Sequence, residues 1–265
     1  MIGWNHDDGS LFTAPTVKTE SDSRASLQKS FPAMTASTLD RLLGLYPAWD
    51  FEPVPALNIT SEFLRASRIF RDVEFTCGAL FVADIVGNPR PELHQTSIYH
   101  AESSPSSNIL QKVIGSHEIQ HHHQLSPPIF VYELNQSSLT QFFIAQGFTQ
   151  LEISHIADIP YVFDEVSKFN DSASNMLLAK QMTGSWTRFA TSGVPSSPKG
   201  TTLKGWTPAF EGKSTGLDDL QLYVIGGGSP EMTGLHGGNV EIAKERLLER
   251  CTFINSEKVQ KELGT

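Results

Sequence analysis

Between Leu151 and Phe163 the sequence reads Leu-Glu-Ile-Ser-His-Ile-Ala-Asp-Ile-Pro-Tyr-Val-Phe. A single imidazole, His155, sits among apolar neighbours, and a carboxylate, Asp158, follows three residues later. Ile159-Pro160-Tyr161-Val162-Phe163 then carries the chain back into an apolar environment. By itself such a histidine reads as a hydrogen-bonded structural residue. What else it can be depends on the partners that the remaining residues supply.

Composition narrows those partners. The chain has 265 residues, enough to bury a large core, with 39% hydrophobic and 18% charged residues, which suits a soluble globular protein. Its formal charge of -9, from 29 acids against 20 bases, repels phosphate backbones and excludes nucleic acid as an expected partner. The apolar stretch from Cys77 to Val86 is interrupted by Asp84 and is too short to span a bilayer. The amino terminus lacks the basic start and apolar core of a signal peptide, which taken literally places the chain in the cytosol. The two cysteines and three Asn-x-Ser/Thr sequons, at Asn58, Asn135 and Asn170, favour a secretory route instead.

Along the chain, Met1 to Phe12 reads as the end of a strand followed by a turn at Asp7-Asp8-Gly9. Thr13 to Pro32 has no period and reads as loop or short helix. Leu39, Leu42, Leu43 and Tyr46 predict a helix from Thr38, stopped by Pro47. A second helix is predicted from Ser61 on the stripe Phe63, Ala66, Ile69, Phe70, Val73 and Cys77, with a break near Glu74 to Gly78 and a further piece to Val86. Residues 103–128 read as a surface excursion. Within it, His117 and His121-His122-His123 read as a solvated polar loop, because adjacent histidines cannot all face one ion, so no metal site is expected. Ile129 to Leu134 reads as a buried strand and Leu220 to Ile225 as a short strand. Asn175 to Ala190 is the clearest helix, and a last one is predicted from Asn239 to Phe253. No internal repeat or long linker divides the chain, so residues 1–265 are expected to belong to one domain.

Three segments fit together. The histidine run matches, at His155, Asp158, Ile159, Pro160, Tyr161, Val162 and Phe163, a pattern Gly-x-x-His-Gly-x-Glu/Asp-Ile/Leu-Pro-Tyr-Val-Phe, departing from it at Ile156, where glycine is usual. Gly3-Trp4-Asn5-His6-Asp7-Asp8-Gly9-Ser10-Leu11-Phe12 is similar to Gly-x-x-x-Asp-Glu-Gly-x-x-Phe. Glu249-Arg250-Cys251-Thr252-Phe253 looks like Glu-Arg-Cys-x-Phe-Trp, with Ile254 in the tryptophan's place. Together they resemble the type B carboxylesterase/lipase family, the cholinesterase-like α/β-hydrolases. Trp186, Phe189, Gly193 and Trp206 resemble packing positions of the same family.

The resemblance implies roles. His155 would be the general base and Asp8 the carboxylate that orients it, with Asp7 left open as the alternative. Asp158 would hold the histidine loop. Cys77 and Cys251 would form a disulfide. No cofactor is implied, and the substrate would be a small-molecule or lipid ester. In α/β-hydrolases the chain order is nucleophile, acid, base. No Gly-x-Ser-x-Gly occurs anywhere in the sequence. The expectation is therefore an α/β fold, the carboxy-terminal part of an α/β-hydrolase, with a mostly parallel sheet and flanking helices. Its amino-terminal strands and nucleophile elbow would be missing, and the absent amino-terminal half would be needed to complete the site. Such a chain is expected to be inactive alone. The alternative is a non-catalytic cholinesterase-like module for binding or adhesion.

Overall fold

The computed structural model describes residues 1–87, 127–169, 172–211, 214, 216–227 and 230–264. The sheet runs in the order β1 (Ile2–Asn5), β2 (Val131–Leu134), β3 (Gln221–Ile225), β4 (Met232–Gly234). The first three strands are parallel and β4 is antiparallel to β3. Ile2 faces Val131 and Trp4 faces Glu133 in register, and Tyr132 faces Tyr223.

Both faces of this sheet are covered, and the period of two along each strand sorts side chains between them. Val131, Leu222 and Val224 join Trp4 on one face, against helices α1 (Glu20–Ser30), α2 (Ala36–Leu45), α3 (Ser61–Arg71) and α4 (Cys77–Gly87). Phe130, Leu134, Tyr223 and Ile225 face the other way. There they meet Tyr161 and Leu178, Met182 and Trp206. The elements after β2 are α5 (Thr140–Ala145), α6 (Ile159–Val162), α7 (Ala173–Ser192), α8 (Val240–Glu245), α9 (Leu247–Ile254) and α10 (Glu257–Leu263).

Several expectations need correction. The amino-terminal strands are not missing: β1 opens the chain at Ile2, and strands and helices extend to α10. The strand is only four residues long, so its apolar run reads in sequence as the tail of something longer. Of the two readings for Thr13 to Pro32, helix is the one found: the 11-residue α1 is started by a reciprocal capping box between Thr19 and Asp22, although its apolar pattern is weak. The predicted break near Glu74 is a π-helical turn over Asp72–Thr76 that joins α3 to α4. The last helix is divided at Arg246, which takes a left-handed conformation at φ 47°. The 103–128 excursion and its histidines lie almost wholly outside the described residues, as does Asn170.

Cys77 at the start of α4 is bonded to Cys251 in α9, with Cα atoms 4.9 Å apart and 174 residues between them in sequence. A closure of this kind typically stabilises by roughly 2–4 kcal/mol. Nearby, charged side chains lie inside the fold. Arg71 is fully buried and bonds Glu245 through Nη2 at 2.9 Å and Nη1 at 3.1 Å. Arg68 reaches the same carboxylate at 2.6 Å. Burial opposes ionisation of Glu245, but Arg71, Arg68 and His6 outweigh it and hold the carboxyl well below its usual range. Replacing one partner strands the other in the interior. Glu245→Gln is expected to lower unfolding stability by about 3–5 kcal/mol at neutral pH, read by urea denaturation. A loss below about 1 kcal/mol, as for an exposed pair, would show that water reaches Arg71.

Candidate active site

The site is built where β1 ends. The chain leaves the strand at Asn5 and turns through a short 3-10 helix at Asp8–Leu11. Gly9 permits this turn to sit directly on α3: a Cβ there would lie 1.9 Å from the Ser67 carbonyl oxygen. The histidine loop comes to the same point. Asp7 N–H donates to the Ile153 carbonyl at 3.0 Å, forming a parallel bridge between Asp7 and Ser154. The Asn5 side chain donates to the Ser154 carbonyl at 3.0 Å.

These links bring Asp8 and His155 together. His155 Nδ1 lies 3.1 Å from Asp8 Oδ1. The other Asp8 oxygen accepts the Asn5 backbone N–H at 2.7 Å. The Asp8 side chain is 5% exposed and that of His155 40%, so the pair has an inner acid and an outer imidazole. Burial pushes the Asp8 carboxyl up from its ordinary value, against the Asn5 N–H, the imidazole and the Arg71 guanidinium, which favour the carboxylate. Asp7, the open alternative, points elsewhere: its Oδ1 is 3.7 Å from Arg68, and its Oδ2 is 3.4 Å from the Ile153 N–H.

The remaining predicted residues are placed as follows. Asp158 stands at the start of α6, its carboxylate 3.5 Å from the Asn5 side-chain amide, a long contact across the loop. Asn58 is exposed, and Asn135 is half-buried just past β2. Asn5 is the residue that sequence reasoning missed. It contacts Asp8, Ser154 and Asp158 at once, and only its position before the Asp-Asp-Gly turn could have drawn attention to it.

His6, Glu133 and Glu245 bring three possible metal-ligand atoms within 4.8 Å of one another. Glu245 already accepts from Arg68 and Arg71, and Glu133 accepts from the Trp4 indole at 2.9 Å. Two guanidinium groups supply the positive charge that an ion would bring, so the cluster is a buried ion network. A cavity of about 280 Å³ beside it is lined by His6, Asp7, Ser10, Ser67 and Glu152 among others, but not by Asp8 or His155.

Ile156 departs from the expected glycine in residue type but not in backbone. Its φ is 73°, in the left-handed region that costs a β-branched residue about 1–2 kcal/mol. The residue is 42% exposed, so little packing offsets that cost. Ile156→Gly is expected to stabilise the fold by about 0.5–1 kcal/mol, after allowing for the entropy of glycine in the unfolded chain. Thermal and urea unfolding measure it. A destabilised variant would mean that residue 156 does not hold this conformation.

The sequence profile of the carboxylesterase family matches residues 1–222. A secreted lipase of Arthroderma benhamiae is 25% identical over 99% of the chain and 40% of its own length. A protein of Byssochlamys spectabilis, named as an inactive carboxylesterase-like protein, is 28% identical over 96% of the chain and 39% of its own length. The chain thus spans about two fifths of the length of these relatives. The crystal structure of EstA from Aspergillus niger covers 100% of the chain and 40% of EstA, with a TM-score of 0.61 and 15% identity, which shows the fold alone. These matches correct the expectation of a carboxy-terminal part only. The profile begins at residue 1 and the structural likeness covers the whole chain. That expectation rested on an absent nucleophile motif, and a missing motif does not locate a chain within a domain.

Proposed function

The chain belongs to the carboxylesterase family, and from that premise we propose that it carries the acid and base of a serine ester hydrolase site, Asp8 and His155. The reading rests on the 3.1 Å contact between His155 Nδ1 and Asp8. With Nδ1–H held by the carboxylate, Nε2 is the nitrogen that would take a serine proton and return it to the leaving alcohol. Asp8 would fix the tautomer and stabilise the imidazolium. The nucleophile is not carried on a Gly-x-Ser-x-Gly elbow of this sequence. By itself the chain therefore has a base with nothing to activate, and it is expected not to turn over esters. A carboxylic ester with a lipid-like acyl group is the substrate class we favour, supported by the Arthroderma relative named as a lipase. A secretory route belongs to the same proposal, supported by the bonded cysteine pair and by that relative's description as secreted. Glycans would then sit on Asn58, Asn135 and Asn170.

The second reading is a non-catalytic module, favoured by the relative named as inactive. A hybrid separates the two. Residues 1–265 are placed in the Arthroderma lipase in exchange for the part they match, and hydrolysis of a short-chain aryl ester is followed. An active hybrid that loses at least about 10³-fold with His155→Ala or Asp8→Asn is the expected result. A folded but inactive hybrid would favour the module.

A further inference from the structure

Among the described residues the imidazole of His155 has one hydrogen bond to orient it, and 40% of its side chain is exposed. One bond at Nδ1 leaves rotation about the ring's own axis poorly determined, because this kind of torsion has broad, shallow wells. The structure supplies a second restraint from an element with no assigned role. The Phe75 ring stacks on the imidazole, with centroids 5.0 Å apart and planes inclined by 28°. Phe12 meets the imidazole edge-on at 5.4 Å.

Phe75 is carried by the π-helical turn Asp72–Thr76. In that turn the Cys77 N–H bonds to the carbonyl of Asp72, five residues back, instead of four. The widened turn brings residues five apart toward one face. Phe70 and Phe75 accordingly lie 6.4 Å apart, and Phe12 stacks on Phe70 at 5.1 Å. Phe31 closes the column at 5.6 Å from Phe70. The helix behind it is anchored by Cys77 through the disulfide and by Asp72, which accepts from Arg71 at 2.6 Å and from the Tyr46 hydroxyl at 2.6 Å. Phe75 is thus a half-buried ring on a rigid support, aimed at an exposed imidazole.

We propose that Phe75, presented by the π-helical turn, is a positioning residue for His155: stacking sets the plane of the imidazole, and Asp8 then holds Nδ1 within that plane. This deepens the reading of His155 as the base and rests on it. The same face is suited to a ring that becomes cationic in the reaction, since aromatic π-faces attract cations. Ordinary packing would be served equally by any apolar side chain of similar volume. Positioning requires a flat ring.

That difference gives the test. The Nδ1–H proton of His155 is observed by NMR in ¹⁵N-labelled protein of residues 1–265 and assigned by its disappearance in His155→Gln. Phe75→Leu, Phe75→Met and Phe75→Tyr are compared, with circular dichroism and melting temperature confirming that each is folded. The expected result is a protected Nδ1–H signal in the parent and in Phe75→Tyr, and its loss by rapid exchange in the Leu and Met variants. The carbon-bound ring protons of His155 should move downfield in the same two variants as the shielding of the stacked ring is removed. An Nδ1–H signal that persists in folded Phe75→Leu or Phe75→Met would overturn the positioning role and leave the Asp8–His155 pair intact. Absence of the signal in the parent would overturn the pair itself, and with it the positioning.

Discussion

The backbone bridge between Asp7 and the histidine loop is the contact on which the site depends. Two segments far apart in sequence are held as if they were neighbouring strands, by the Asp7 N–H on the Ile153 carbonyl and the Asn5 side-chain amide on the Ser154 carbonyl. The Asp7 link is main-chain, so its geometry does not vary with the side chains beside it, and the Asn5 side chain adds a second tie. Asp8 and His155 follow on either side, and their separation is set before either side chain makes a contact. The parallel pairing of β1 with β2 fixes where the first segment ends, and Gly9 lets α3 close over it.

Around this point the molecule uses charge in two ways. Asp8 is a buried carboxylate with few partners, pushed toward its neutral form by burial and drawn back by the Asn5 N–H and the imidazole. Glu245 is buried with two arginines and held firmly ionised. The first arrangement leaves a group whose proton affinity responds to its neighbour. The second locks α3 to α8, and with them the helix that carries Phe75. The Asp8–His155 pair thus sits against a support held by fixed charge, the arrangement that the proposed proton transfer would need to keep its aim.

Much of this was legible in the sequence, for reasons that differ by residue. The strands at Ile129–Leu134 and Leu220–Ile225 show because their apolar runs are buried on both faces. Asp8 and His155 show because a motif carries them, and the bonded cysteines because they belong to the same resemblance. Hidden features arise where tertiary contacts override local pattern. The burial and pairing of Arg71, Glu133 and Glu245 leave no mark in the sequence, which does not display pairing partners 100 or more residues away. A π-helical turn preserves the apolar stripe while shifting its phase, so it reads as a break. At Ile156 the left-handed backbone is retained without the glycine that would signal it. An absent nucleophile elbow marks no boundary, so it does not tell how far the resemblance extends.

The central claim is that this chain by itself assembles a coupled acid and imidazole. A double-mutant cycle tests it without requiring turnover. Unfolding free energies at neutral pH are measured for the parent, Asp8→Asn, His155→Gln and the double variant. The account predicts a coupling energy of about 1 kcal/mol, as for side chains in direct hydrogen-bonded contact. Effects that add to within about 0.3 kcal/mol, the behaviour of independent sites, would contradict it.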